Sequence, residues 1–455
     1  MNRREALGTL AGAAVMGRAQ NRNRPNLVFI LVDDLRFDAL SVMGHPFVKT
    51  PHIDRIAREG VIFKNAFVTT PLCSPSRASY LTGRYVRSHG VKGNGDSAEL
   101  SHKLITFPRL LHDAGYETAY IGKWHMGNDD FPRPGIDRWV SFRGQGRYED
   151  PPLNVDGQRV EKKGYMTDLL SDYAVEFLGN QRSKPFCLYL AHKAVHGPFT
   201  PAGRHANLFS GNPVVRAQNA KDDLDGKPML KRPLPAPSVP NKKGNPNNQR
   251  GPGDEVIRNQ MRCLTAIDEG VGRMLQTLEQ TKQLDNTMIV FTSDNGFFWG
   301  EHGLGDKRAA YEESIRIPMF VRYPKAVKAG TSVEEMVLNI DIAPTFLQMA
   351  GVPAPKQMQG RSMAPLLGGR TKGWRTHILC EYVMEAQFAR IASWEAVRTS
   401  RWKYIHYPDL MNMDELYDLQ SDAGELVNRI GLPVAKQITA TLRKELGRYR
   451  REIQP

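Results

Sequence analysis

Cysteine is scarce in this 455-residue chain: Cys73, Cys187, Cys263 and Cys380 are the only four, widely separated and without a C-x-x-C pair. That spacing argues against both a disulfide framework and a zinc site. Long apolar runs are also lacking; none reaches the roughly 20 residues that span a bilayer, so stable membrane insertion is not expected. Acidic residues fall short of basic ones, 48 against 62, leaving a formal net charge of +14. A basic surplus draws polyanions in general and speeds their encounter, although a generally basic solvated surface accounts for it equally well. No metal-finger, RNP-type or heptad pattern and no internal repeat accompanies the charge, so nothing favours nucleic acid as the partner.

What is present is an ordinary water-soluble composition, 40% hydrophobic and 24% charged, in a chain long enough for one large domain and a smaller appendage. The first 20 residues read as an address. Arg3-Arg4 precede a short run of small and apolar residues, Ala6 to Met16, which resembles a bacterial twin-arginine export signal and implies a periplasmic or extracellular protein.

Asn26 to Val32 is a continuous apolar run ending in Asp33-Asp34, as expected of a strand buried on both faces of a parallel sheet. Thr50-Pro51 opens a helix, with Thr50 as the capping acceptor, and Gly60 closes it. Alternation continues with helices at 107–114, 167–178 and 254–281 and strands at 118–121, 186–191, 288–293 and 317–322. Strand and helix in alternation give an α/β fold, a mostly parallel sheet flanked by helices, in which ligands sit beyond the carboxyl ends of the strands. The catalytic domain is expected over 24–373, with a Pro-, Asn-, Gly- and Lys-rich insertion at 201–253. Short strand pieces at 395–399 and 402–406 and a helix near 434–448 assign 374–455 to a smaller α+β region.

The most specific segment is Cys73-Ser-Pro-Ser-Arg77-Ala-Ser-Tyr-Leu-Thr-Gly-Arg84. It resembles the signature of the type I sulfatases, C-x-P-S-R followed by L-T-G-R, on an alkaline-phosphatase-like fold. The resemblance implies that Cys73 is oxidised to formylglycine (3-oxoalanine) by a formylglycine-generating enzyme. One hydroxyl of the hydrate would attack sulfur, and deprotonation of the other would expel sulfate, splitting a hard hydrolysis into two steps. A helix beginning near Ser76 would set its unpaired amides close to the anionic group, with Arg77 reaching back to the nucleophile and the metal.

Asp33-Asp34 and Asp294-Asn295 each end an apolar run, so four oxygen ligands should meet at one sheet edge. Without neighbouring histidine or thiolate, such a set suits calcium or magnesium better than zinc; the resemblance implies Ca2+, with the residue 73 oxygen as a further ligand. It also implies a sulfate clamp of Lys123, His125, His196 and Lys307. His125 would deprotonate the second hydroxyl, while His196 and Lys307 would assist the leaving group. The segment Gly300 to Arg308 resembles the N-acetylglucosamine-6-sulfatase group; because specificity lives in pocket loops, Glu301, His302 and the insertion are the candidates for substrate contact. A departure is Asp422-Ala-Gly-Glu425, where the family commonly has D-P-x-E; only a C-terminal turn is affected.

The expected activity is hydrolysis of sulfate monoesters on a sulfated carbohydrate. Phosphate or phosphonate ester hydrolysis by the same nucleophile is the near alternative, and glycan binding without turnover the distant one. Oligomeric state, sugar identity, and exo or endo action are not written in the motifs.

Overall fold

The computed structural model describes residues 24–233 and 251–454; the export-signal expectation for residues 1–20 and part of the insertion lie outside them. A ten-stranded sheet runs through the molecule in the order Thr331–Val333, Val61–Phe63, Met319–Arg322, Thr287–Ser293, Asn26–Val32, Phe186–Ala191, Glu117–Gly122, Arg138–Ser141, Pro152–Val155 and Gln158–Glu161. The five strands from Thr287–Ser293 to Arg138–Ser141 are mutually parallel, and antiparallel pairs flank them on both sides.

All seven residues of Asn26–Val32 are buried, because both faces of the central strand are covered. Val28, Ile30 and Val32 face a core made with the helices Pro51–Arg58, Met166–Gly179 and Asp254–Gln280. Leu27, Phe29 and Leu31 face the opposite core, made with Cys73–Thr82, Phe107–Asp113 and Ile342–Met349. Each such side chain contributes about 2 kcal/mol relative to exposure, which is why the run is apolar without alternation.

The 27-residue helix Asp254–Gln280 buries Ile257, Met261, Leu264, Ile267, Val271 and Met274 at helical spacing and carries acids in its first turn, where the macrodipole favours them. It lies so close to Met166–Gly179 that a Cβ on Gly270 would come within 2.2 Å of Ser171 Oγ.

Two local expectations are corrected. Thr50 does not cap Pro51–Arg58; its hydroxyl donates to Asp54 at 2.8 Å. The cap comes from the long helix, where Asp268 Oδ1 accepts from the amides of His52 at 3.0 Å and Ile53 at 2.8 Å. The expected strand at 317–322 is two strands broken at Pro318, which has no amide to donate. Arg316–Ile317 pairs with Ala66–Phe67, whereas Met319–Arg322 joins the main sheet.

Beyond the main sheet, His377–Tyr382, Trp394–Thr399, Trp402–His406 and Glu415–Asp418 form an antiparallel four-stranded sheet. The helix Ala435–Glu452 buries Leu442 and Leu446 against it. The first and last of these strands extend the region that the sequence outlined. Its core also takes in Leu304, Ala309, Ala310 and Tyr311, so the second layer is seated on the loop that carries Lys307.

Candidate active site

Four neighbouring parallel strands deliver their carboxyl-terminal residues to one edge. Val32 is in register with Ser293, so Asp33-Asp34 and Asp294-Asn295 emerge side by side, locked by Asp294 N donating to Val32 O at 3.0 Å. Phe186–Ala191 leads to His196. Glu117–Gly122 leads to Lys123 and His125 through a turn at Gly122, where φ is +115° and a Cβ would lie 1.9 Å from Ala191 O. No other residue fits that approach.

The fifth contribution is the helix Cys73–Thr82, every residue of which is buried. Cys73 stands in its first turn, and Gly83 ends it in the left-handed conformation. Arg77 lies one turn further along the same helix. Its Nε lies 2.9 Å from Asp294 Oδ2, its terminal nitrogens reach Asp294 at 2.8 Å and Asp33 at 3.4 Å, and Nη1 donates to Lys123 O at 2.6 Å. Lys123 pairs with Asp33, and Lys307 with Asp34. Lys307 Nζ also donates to Cys73 Sγ at 3.3 Å, and the thiol reaches Asp33 Oδ1 at 3.5 Å. His196 Nε2 is 3.8 Å from Asp34 Oδ2, and its Nδ1 contacts Gly197 O at 3.0 Å.

These charges shape one another. Burial opposes ionisation of Asp33, yet Lys123, His196, Arg77 and Lys307 together hold its carboxyl well below the usual range. Burial and the Asp33 charge push the Cys73 thiol up to about 12, so as a thiol it is a poor nucleophile at neutral pH. Burial and the neighbouring Lys123 charge depress both histidines, His196 to about 4 and His125 well below its ordinary value.

A hard cation fits the acidic end. Ligand oxygens of Asp33, Asp34 and Asp294 lie within 4.8 Å of one another. Asn295 donates its amide nitrogen to Asp34 at 2.6 Å, but its buried Oδ1 has no hydrogen-bond partner among the described residues. An orphaned amide oxygen beside three carboxylates is the donor set that calcium takes.

Above these groups opens a cavity of about 610 Å³. Asp34, His125, His196 and Lys307 line it, with Phe199 and Phe297 nearby and Asp306, Arg308, Glu385 and Phe388 also on its walls. Arg308 pairs with Asp306 and, at 2.8 Å, with Glu385, and lies 3.5 Å over the Phe388 ring. Asp306 and Arg308 both have left-handed backbones, φ 69° and 87°, a strained arrangement on either side of Lys307. Sequence reasoning passed over these four residues. Asp306 and Arg308 were signalled by flanking Lys307, whereas Glu385 and Phe388 sit in a loop of the second layer with no motif around them.

Glu301 and His302 do not line this cavity. Glu301 accepts from Arg36 at 2.8 Å and from Trp299 N at 2.6 Å. His302 is fully buried, 2.6 Å from Asp222, with its ring 4.2 Å from that of Tyr311. Glu301 instead lines a separate cavity with Arg36 and Trp299. A larger groove, about 770 Å³, lies among Asp168, Arg204, Glu269 and Arg273, but those ions pair with one another or with Asp172.

The Sulfatase sequence model matches residues 25–352, and that of the N-sulphoglucosamine sulphohydrolase C-terminal region matches 300–452. The chain is 34% identical to the N-acetylglucosamine-6-O-sulfatase of Bacteroides thetaiotaomicron over 96% of this chain and 87% of that protein. It is 32% identical to the N-acetylglucosamine-6-sulfatase of Homo sapiens over 82% and 70%. Among solved structures, BT4656 in complex with its substrate D-glucosamine-2-N,6-O-disulfate aligns with a TM-score of 0.86 and 33% identity, covering 94% of this chain and 98% of that one.

Proposed function

This chain belongs to the sulfatase family, and on that premise we propose that it hydrolyses the 6-O-sulfate ester of glucosamine residues in sulfated glycans, with Cys73 matured to formylglycine and calcium bound by Asp33, Asp34, Asp294 and Asn295. That it is a sulfuric ester hydrolase follows from the family and from relatives that act on sulfated glucosamine. The observation that supports the role of Cys73 is its place at a buried helix start, in contact with Asp33 and with Lys307, which itself lines a cavity of sugar size.

When present, formylglycine supplies a hydrated aldehyde as nucleophile, and calcium supplies positive charge against the sulfate oxygens. Lys123 and Lys307, which now neutralise Asp33 and Asp34, would take sulfate oxygens once a cation occupies the carboxylates. Arg77 fixes Asp294 and the Lys123 carbonyl, and so the spacing between clamp and metal ligands. His125 serves as the base at the residue 73 hydroxyl, and His196 with Lys307 stands on the leaving-group side. Asp306, Arg308 and Glu385, which line the same cavity, would offer charged hydrogen-bonding groups to sugar hydroxyls, with Phe388 and Phe297 offering apolar surface. Export to the periplasm or the cell exterior accords with extracellular relatives, and the twin-arginine pair is our proposed route.

The test is ion chromatography of sulfate and phosphate released by matured, calcium-loaded protein from glucosamine derivatives. Substrates sulfated at O6, at O3 or on nitrogen are compared with the 6-phosphate. Release confined mainly to the 6-O-sulfates supports the reading. Preferential phosphate release, or release chiefly from another position, overturns it.

A further inference from the structure

Ser74, the residue between the nucleophile and the proline of the signature, has no part in the chemistry assigned above. It is completely buried, and its hydroxyl meets a single residue twice. Ser74 Oγ donates to the backbone carbonyl of His125 and lies 3.2 Å from His125 Nδ1. His125, both of whose groups reach this one hydroxyl, has a left-handed backbone, φ 60°. A backbone carbonyl can only accept. The single Ser74 proton is therefore committed to His125 O, and toward Nδ1 the hydroxyl can offer only a lone pair.

We infer that Ser74 is a positioning residue that fixes His125 as the Nδ1–H tautomer, so that the neutral ring presents an unprotonated Nε2 to the residue 73 hydroxyl. Which nitrogen of a neutral histidine carries the proton is set by the partner of the other nitrogen, and a base with its lone pair on the wrong nitrogen cannot take a proton from the cavity side. Ser74 is itself held. Its amide donates to Asn94 Oδ1 at 3.1 Å, and the Asn94 amide donates to Glu385 Oε1 at 3.2 Å, so the second layer reaches His125 through Asn94 and Ser74. The inference rests on the reading of His125 as the base, and its test separates the two.

The first measurement uses the unmatured, metal-free protein with 15N-labelled histidine, and assigns His125 by comparison with His125→Ala. Nitrogen chemical shifts should report a protonated Nδ1 and a pyridine-type Nε2 in the wild type. In Ser74→Ala that preference should be lost or mixed, and Ser74→Thr should restore it. Wild-type His125 carrying its proton on Nε2 would overturn the inference without recourse to any variant.

The second measurement is kinetic, with rates divided by the fraction of Cys73 matured, since Ser74 lies within the signature. Ser74→Ala should lower kcat by about tenfold or more with little change in KM, and Thr should recover most of the loss. A normal kcat together with an unchanged tautomer in Ser74→Ala refutes the role of Ser74. Full activity of His125→Ala would instead refute the assignment of His125 as base, leaving the tautomer result standing.

Discussion

Removing the Arg77 guanidinium would leave Asp33 and Asp294, neither with any solvent exposure, facing one another with one cation fewer. Breaking a buried charge group from one side costs about 3–5 kcal/mol, so Arg77→Met should unfold at markedly lower denaturant than the wild type. Arg77→Lys should retain more stability yet lose most activity, because a single ammonium cannot hold Asp294 and the Lys123 carbonyl together as the fork does. Cys73 offers a second check at this scale. Its thiol is pushed up to about 12 by burial and the Asp33 charge, and Cys187, Cys263 and Cys380 are buried as well. Native, unmatured protein should therefore resist iodoacetamide at neutral pH, and all four thiols should react after denaturation; rapid labelling of Cys73 in the native state would contradict the packing described.

Among the elements, the helix Pro51–Arg58 shows how far local sequence reaches. Thr50-Pro51 identifies the start correctly, but the capping oxygen belongs to Asp268, more than two hundred positions away, and no local pattern announces it. Asp268→Ala should cost about 1–2 kcal/mol by leaving the His52 and Ile53 amides unpaired, and Asp268→Asn, which keeps an acceptor, should cost less; chemical denaturation at constant m-value distinguishes them. The central strands were legible for the opposite reason. Asn26–Val32 and Thr287–Ser293 are buried on both faces, and burial of that kind writes itself as a run of apolar residues ending in polar ones. Pro318 was legible in principle, since a missing amide forbids an uninterrupted ladder. The wall of the cavity was not: Glu385 and Phe388 reach it from a loop of another layer, through contacts that leave no periodicity. Glu301 and His302 show the converse, family-flavoured residues whose partners, Arg36 and Asp222, turn them to structural use.

The whole molecule depends on how the second layer is fastened to the first. Glu312, in the stretch following the Lys307 loop, is paired with Arg398 at 3.0 Å and Lys403 at 3.0 Å, and Lys403 reaches Glu425 at 2.6 Å. Burial opposes ionisation of Glu312, but the Arg398 and Lys403 charges overcome it and hold the carboxyl well below the glutamate range. A carboxyl depressed on folding contributes stability that is fully present above its unfolded pKa and is lost as pH falls through the folded one. Glu312→Gln should thus be less stable than the wild type near neutrality, and the gap should begin to narrow below about pH 5 and go on narrowing with further acidification, as read by thermal midpoints. The same layer supplies Glu385 and Phe388, so loosening it should raise KM before it lowers kcat.

The central claim is that turnover belongs to a matured Cys73. The most direct measurement follows sulfate release from glucosamine 6-sulfate by preparations matured to different extents, with the fraction of converted residue 73 read by peptide mass spectrometry. The rate should be proportional to that fraction, on a line through the origin, with Cys73→Ala at zero. Sulfate release at an undiminished rate by protein that carries only the thiol, or by Cys73→Ala, would contradict it.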